Sequence, residues 1–364
     1  MIKIIDFQRE FKEISAEIRE AVDGVLESGW FILGGEVKSF EQEFSHYIRA
    51  KYGVGVSSGT DAIMLSLMAL GVGRGDEVIT VSHTSGATVS AIAMTGAKPI
   101  FADVEEGTML MDVAKVKSKV NARTKAIVSV HLYGHPVDLD PLVEISEKEG
   151  IPIVEDCAQA HGAEYKGRKV GSIGRLGAFS FYPTKNLGAY GDAGMVVTSD
   201  EGLYQKLVML RQYGWEEKDK SVMKGVNSRL DEIQASILRV KLKYLDKWNE
   251  RRRDNAKLYN ELLKDTKVLA PVERDYAKPV YHLYVIRSEK RNSLKEYLHK
   301  EGVQTQIHYP VPVHKQKPYR TNSRLPVTER ICSQVLSLPI HPFLQEDEIL
   351  AISEKVKQFE KRIY

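Results

Sequence analysis

Two charged residues stand at the ends of apolar runs, where a charge needs a partner. Asp156 closes "IPIVED" (151 to 156), and Lys185 lies in "FSFYPTKNLGAYGDAG" (179 to 194), between an aromatic run and a glycine-rich tail. Taken singly, each has an ordinary reading. Most lysines are solvated surface charges, and a buried aspartate can be structural, bonded to a neighbouring turn. An unpaired carboxylate at the end of a buried strand is nevertheless costly, and its pKa rises until a cation or hydrogen bonds compensate. Taken together, the two residues suit one specific chemistry. A lysine amine condenses with an aldehyde, and an aspartate pairs with a protonated ring nitrogen; pyridoxal phosphate carries both groups. A ring nitrogen held protonated makes the ring an electron sink when a substrate Cα loses its proton. The lysine, once displaced by a substrate amine, becomes the base that moves that proton between Cα and C4′.

A phosphate needs donors, and "SSGTDA" (57 to 62) offers them. The loop follows the strand-like "YGVGV" and opens a helix, so the N–H groups of Gly59, Thr60 and Asp61 face the space beyond the sheet, where the helix dipole also favours an anion. An ordinary helix start capped by Ser58 or Thr60 would read the same. The Asp61 carboxylate would repel a phosphate if it pointed there. The loop also fits G-x-S-x-G through Gly55, Ser57 and Gly59, with Asp156 and several histidines following in the chain order of a serine hydrolase. That fold requires several strands ahead of its nucleophile, whereas the residues before "YGVGV" are largely helical in pattern.

The elements that must hold these loops alternate. Helical spacing through Val37, Phe40, Phe44 and Tyr47 marks 36 to 50, and further helices are expected at 60 to 70 and 138 to 149. Strand-like runs recur at 77 to 83, 98 to 104, 125 to 134, 151 to 156, 177 to 182 and 194 to 199. Most are apolar at consecutive positions, as strands covered on both faces are. The pattern predicts a three-layer α/β domain with a mainly parallel sheet, whose ligands lie beyond the carboxyl ends of the strands. Residues 229 to 264 read as long charged helices that bridge to a smaller C-terminal α+β domain. That domain has a strand at 280 to 287, a helix at 291 to 301, a strand at 303 to 308, and helices near 327 to 336 and 346 to 360. The expected boundary divides 1–240 from 241–364.

With 364 residues, 43% hydrophobic and 28% charged, the chain has the make-up of a soluble globular protein with room for two cores. A net charge of +3 from 52 basic and 49 acidic residues leaves no basic block for nucleic acid or anionic lipid. No apolar run is long enough to span a membrane, and "MIKIIDFQREFKEI" lacks the core of a signal peptide, so a cytoplasmic location is expected. Cys157 and Cys332 are the only cysteines and indicate neither a disulfide framework nor a metal site. The expected partner is a metabolite.

Several segments then carry a resemblance that spans nearly the whole chain: "GGEVKSFEQEF", "SSGTDA", "HLYGHPVDLDPL", "VEDCAQAHGA", "FSFYPTKNLGAYGDAG", "GVNSRLDEIQA", "HYPVPVHKQ" and "VLSLPIHPF". The sequence resembles the DegT/DnrJ/EryC1/StrS family of sugar aminotransferases, pyridoxal 5'-phosphate enzymes of fold type I, the aspartate-aminotransferase-like class. The resemblance implies that Lys185 holds the cofactor aldehyde and Asp156 its ring nitrogen. It places Gln159 near the phenolic oxygen, Ala158 on a ring face, and Gly59, Thr60 and Ser180 at the phosphate. Asn227 would reach the phosphate of a second subunit, which implies a homodimer with shared sites, and His308 and Tyr309 would lie near a nucleotide-linked sugar. Where many relatives place an aromatic ring after "HT" to stack on the pyridine, this chain has Ser85 and Gly86.

Within the family, "EDCAQAHGAEYKG" together with "PTKNLGAYGDAG" resembles enzymes that aminate C3 of a dTDP-linked 3-keto-6-deoxyhexose, with L-glutamate as donor and 2-oxoglutarate as co-product. Relatives acting at C4 more often differ in both loops and form the alternative. His161, five residues after Asp156, either lines the sugar side of the pocket or is a helix-start histidine bonded to backbone. Arg229 is a candidate for the glutamate carboxylate only by its nearness to Asn227.

Overall fold

The computed structural model describes residues 1–363, and one sheet divides two apolar cores built mainly from residues 37 to 210. The sheet strands are β1 (Tyr52–Val56), β2 (Glu77–Val81), β3 (Lys98–Ala102), β4 (Thr124–Val130), β5 (Ile153–Asp156), β6 (Leu176–Ser180) and β7 (Gly194–Thr198), in the order β1-β7-β6-β5-β4-β2-β3. Pairings from β6 through β5, β4 and β2 to β3 are parallel, and only β7 runs antiparallel to both neighbours. Side chains alternate across it: Ala126 and Val128 of β4 enter one core while Ile127 enters the other.

Helices complete the three layers. On one face α3 (Gly59–Ala69), α4 (Gly86–Met94) and α6 (Glu201–Leu210) bury Leu65, Ile92 and Leu207. On the other, α2 (Gly35–Ile48), α5 (Asp140–Glu149) and α7 (Glu232–Leu242) bury Phe40, Phe44, Leu142 and Leu238. The residues before "YGVGV" are largely helical in pattern, but the pattern delimits no helix before 36; the N-terminal segment forms α1 (Phe7–Ser28). Asp6 caps it by accepting from the N–H groups of Gln8 and Arg9, and Ile14, Ile18 and Val25 line its buried face. The expected bridge is two helices, α7 and α8 (Leu245–Leu263), broken at Lys243 and Tyr244.

A third core lies around α8, α9 (Arg291–Lys300) and α11 (Glu346–Ile363), against a two-stranded antiparallel sheet of β8 (Tyr284–Arg287) and β9 (Val335–Leu338). Helix α10 (Pro326–Gln334) leads directly into β9. Three expectations shift here. The helix expected near 327 to 336 gives way to β9 at Val335. The first residues of the expected strand 280 to 287 bond instead to the turn after β4, with the Val280 N–H on the Gly134 carbonyl at 3.0 Å. The strand expected at 303 to 308 is absent because its backbone is divided between two partners: Gln304 bonds to Ile2 and Gln306 to Ser337. Among the described residues no helix is long and apolar enough to cross a membrane.

Candidate active site

Beyond the carboxyl ends of β2, β4, β5 and β6 lies a cavity of about 260 Å³ whose lining includes Gly59, Thr60, Asp156, Ala158, Gln159, Ser180 and Lys185. The parallel strands deliver their following loops to one side of the sheet, so residues far apart in the chain meet there. Asp156 is the last residue of β5 and 4% exposed. Its Oδ2 accepts from Thr88 Oγ1 at 2.8 Å and its Oδ1 from the Ala158 N–H at 3.1 Å. Burial raises its pKa, and these two bonds together with the charge of Lys185 oppose the rise.

Lys185 sits in the loop between β6 and β7, its backbone fixed by a bond from its N–H to the Tyr182 carbonyl. Asn186 anchors the loop, donating to Asn249 Oδ1 at 2.8 Å and to the Val280 carbonyl at 3.0 Å. Burial lowers the Lys185 amine from 10.5 to about 8, against the opposing pull of Asp156. An amine and a carboxylate thus face one cavity, each with its pKa shifted by burial toward the uncharged form.

The phosphate end is built by close backbone approach. A Cβ at Gly59 would lie 2.5 Å from the Ser180 Cβ, and one at Gly194 would lie 2.3 Å from the Ser58 carbonyl oxygen, so α3 can start against β6 and β7 only with glycine at both places. The ordinary helix cap is also present: Ser58 Oγ accepts from the Asp61 N–H at 3.1 Å. That removes Asp61 from the expected donors and leaves Gly59 and Thr60, whose N–H groups in the first turn have no acceptor within the helix. The Asp61 carboxylate is turned away, accepting from Ser57 Oγ and from Ser228 Oγ, the latter at 2.7 Å. Ser57 therefore bonds to an aspartate and a serine, with no histidine among its partners, which removes the basis of the hydrolase reading.

Other expected residues fall variously. Gln159 is 6% exposed; its Oε1 accepts from the Tyr133 N–H at 2.7 Å, and its Nε2 donates to the Tyr309 hydroxyl at 3.1 Å. Tyr309 reaches Gln159 and Ser85 at the cavity edge, and His308 bonds Ser337 Oγ through Nδ1 at 2.8 Å. His161 does not line the cavity. It is fully buried with its ring among Phe44, Phe179 and Phe181, and burial lowers its pKa to about 3. Asn227 is exposed and lies outside the cavity of its own chain.

The sequence reading missed four contributors. Thr88, in the first turn of α4, holds Asp156, and Thr84 Oγ1 lies 2.8 Å from its hydroxyl. His131, immediately after β4, lines the cavity; its Nδ1 accepts from the Val137 N–H, so its proton sits on Nε2, 3.0 Å from Glu155. Tyr182 lines the same space. A position directly after a parallel strand was the available signal for His131, and a place in the loop after β2 was the signal for Thr84.

The residues present fit pyridoxal phosphate: an amine for its aldehyde, a carboxylate for its ring nitrogen, and a glycine-built helix start for its phosphate. A family model described as the DegT/DnrJ/EryC1/StrS aminotransferase family matches residues 12–357. The chain is 43% identical over 367 residues to the dTDP-3-amino-3,4,6-trideoxy-alpha-D-glucose transaminase of Streptomyces venezuelae, covering 100% of this chain and 97% of that one. It is 45% identical over 361 residues to the dTDP-3-amino-3,6-dideoxy-alpha-D-galactopyranose transaminase of Aneurinibacillus thermoaerophilus, covering 99% of each. Among solved structures, S. venezuelae DesV in complex with a ketimine intermediate superposes with a TM-score of 0.97 at 43% identity, over 100% of this chain and 99% of that one. Other solved relatives are described with pyridoxal or pyridoxamine phosphate bound.

Proposed function

Because the chain belongs to the DegT/DnrJ/EryC1/StrS aminotransferase family, whose members depend on pyridoxal 5'-phosphate, we propose that it moves the amino group of L-glutamate onto the 3-keto carbon of a dTDP-linked 6-deoxyhexose. The product is the dTDP-3-amino-3,6-dideoxyhexose and the co-product is 2-oxoglutarate. The observation that carries the reading is the single cavity shared by Lys185 and Asp156. The choice of C3 and of dTDP rests on the substrates named for the two relatives of 43% and 45% identity.

When bound, the cofactor supplies a conjugated ring that takes up the electron pair left at the substrate carbon. Lys185 is the residue for its aldehyde, and an amine with a pKa of about 8 both gives up and recovers a proton near neutral pH. Asp156, held by Thr88 and the Ala158 N–H, is the residue for the ring nitrogen, where a charge-assisted hydrogen bond contributes ~1.5–3 kcal/mol. Gly59, Thr60 and Ser180 are assigned to the phosphate, Ala158 to a ring face and Gln159 to the phenolic oxygen. His308 and Tyr309 are assigned to the nucleotide-sugar side. Asn227 is assigned to the site of a second copy, since it is exposed and does not line the cavity of its own chain, and the working unit is then a homodimer.

The test has two parts. Adding pyridoxal phosphate should give a visible absorption band that Lys185→Ala lacks, and NMR of the product formed from 3-keto and 4-keto dTDP sugars should show nitrogen on C3. Amination at C4 alone would overturn the regiochemistry, and a protein that takes up no cofactor would overturn the whole reading.

A further inference from the structure

Tyr133 is not among the residues lining the cavity, yet two of its polar groups reach Gln159, which lines it, and the His308–Tyr309 segment at its edge. Its N–H donates to Gln159 Oε1 at 2.7 Å, its carbonyl accepts from the Leu283 N–H at 3.4 Å, and its hydroxyl donates to the His308 carbonyl. The residue has φ of +61° and ψ of 5°, a left-handed conformation that costs a tyrosine ~1 kcal/mol or more and persists where surrounding bonds enforce it. The ring is 7% exposed.

Proton directions follow from these partners. A carbonyl can only accept, so the single hydroxyl proton of Tyr133 is committed to His308. His83 Nε2, 2.8 Å from the same hydroxyl oxygen, must then donate to it. Burial lowers His83 to about 4, so its ring is neutral and Nδ1 carries a lone pair. The partner of Nδ1 is Cys332 Sγ at 3.3 Å, a buried thiol raised to about 12 by burial, which therefore donates its S–H. One directed chain runs from the Cys332 thiol through His83 and Tyr133 to the backbone of His308. The same logic fixes Gln159. With Oε1 held by a backbone N–H, its amino group is turned to the other side, where it meets Tyr309.

We propose that Tyr133 is a positioning residue with two separable duties: its backbone N–H orients the Gln159 carboxamide, and its hydroxyl, supplied by the Cys332–His83 donor chain, holds the His308–Tyr309 segment at the cavity edge. The hydrogen-bond part stands on the contacts among Cys332, His83, Tyr133 and His308 and on their burial, while the part concerning substrate rests on the aminotransferase reading above.

The first test needs neither cofactor nor substrate. In the ¹⁵N NMR spectrum of the histidine-labelled apoprotein, His83 should be the neutral Nε2–H tautomer from pH 6 to 8; a proton on Nδ1 would overturn the donor chain. The second separates the duties. Tyr133→Phe keeps the N–H and loses the hydroxyl, so pyridoxal phosphate should bind within about twofold of wild type. Amide exchange in 306 to 311 should quicken, and KM for the dTDP-3-amino-3,6-dideoxyhexose, assayed with 2-oxoglutarate, should rise roughly 5- to 20-fold with kcat little changed. Unchanged exchange in 306 to 311, or cofactor affinity falling in step with KM, would overturn the division. Cys332→Ser retains a donor and should match wild type, whereas Cys332→Ala should reproduce part of the Tyr133→Phe phenotype; equal behaviour of the two would count against the chain. A protein that shows the tautomer and the exchange effect but does not turn over the sugar would refute the function instead.

Discussion

The pH at which Lys185 becomes reactive follows from its burial. A free amine attacks an aldehyde and an ammonium does not, so capture of pyridoxal phosphate by the apoprotein should scale with the neutral fraction. With the amine lowered from 10.5 to about 8, roughly a tenth is neutral at pH 7, some 300-fold more than for an ordinary lysine. The logarithm of the capture rate should therefore climb with pH and level off above about 8. The Asp156→Asn variant sharpens the test, because the carboxylate holds the Lys185 pKa up. Its removal should move the break to lower pH while weakening the retained cofactor roughly 10- to 150-fold through the lost ring-nitrogen bond. Stopped-flow absorbance of apoprotein mixed with cofactor, from pH 6 to 11, reads both. A break near 10.5, or one that moves upward in Asp156→Asn, would refute the account of the site's electrostatics. Stability supplies a second check. Between about 8 and 10.5 the folded amine has lost a proton that the unfolded chain keeps, so the unfolded state binds more protons and Lys185's contribution to stability rises with pH. The gain is about 3 kcal/mol across that window, visible as a smaller gain for Lys185→Met than for wild type in apoprotein denaturation.

Further outcomes are expected elsewhere. Gly59→Ala forces a Cβ to within 2.5 Å of Ser180, so it should destabilise the fold by ~1–3 kcal/mol in urea titration and weaken cofactor binding more than a surface glycine change does. Mixing Lys185→Ala with Asn227→Ala chains should restore measurable turnover through one intact site per heterodimer; no restoration would refute the assignment of Asn227 to a second copy's site. The buried Glu232 carboxylate accepts from the N–H groups of Gly34, Glu36 and Val37 at the start of α2, and Glu232→Ala should cost ~2–4 kcal/mol in urea denaturation by leaving them unpaired.

The proposed Lys185–Asp156 pair was legible in the sequence because Asp156 closes a buried strand and Lys185 lies in the loop after another, each in a setting unusual for a charge. Parallel strands bring such loops together whatever their spacing, so Asp156 and Lys185 needed only the sheet to be inferred. Gly59 was legible as a phosphate donor in "SSGTDA", whereas the close backbone approach at Gly59 and Gly194 depends on partners that only the fold brings near. The segments that failed are those whose partners are distant. The run 303 to 308 has strand-like composition, but its bonds go to residue 2 and to residue 337, and composition says nothing about which edge a chain will find. His161 illustrates the converse: its place in the order of the chain fits a substrate ligand, while Phe44 of α2, Phe179 of β6 and Phe181 just beyond it enclose the ring.

Long-range support is where the sequence is silent and the chemistry is most constrained. Tyr133 meets His83 across 50 residues and His308 across 175, and His83 meets Cys332 across 249. No periodicity links such positions. Yet once the fold joins them, a single hydroxyl proton decides the tautomer of a histidine and requires a thiol to donate. The loop bearing Lys185 is tied in the same manner, through Asn186 to Asn249 of α8 and to Val280. The lysine loop is therefore fastened to residues C-terminal to the main sheet, and the His308–Tyr309 segment is fastened back to Tyr133 and Gln159 in loops of that sheet. It follows that substitutions at these supports, none of them a ligand of the cofactor, should alter KM and amide exchange at the cavity edge before they alter the sheet. Substitutions in the sheet cores should instead lower overall stability with those local readouts changing in step. A set of matched variants in the two groups that failed to divide in this way would show that the supports are packing and nothing more.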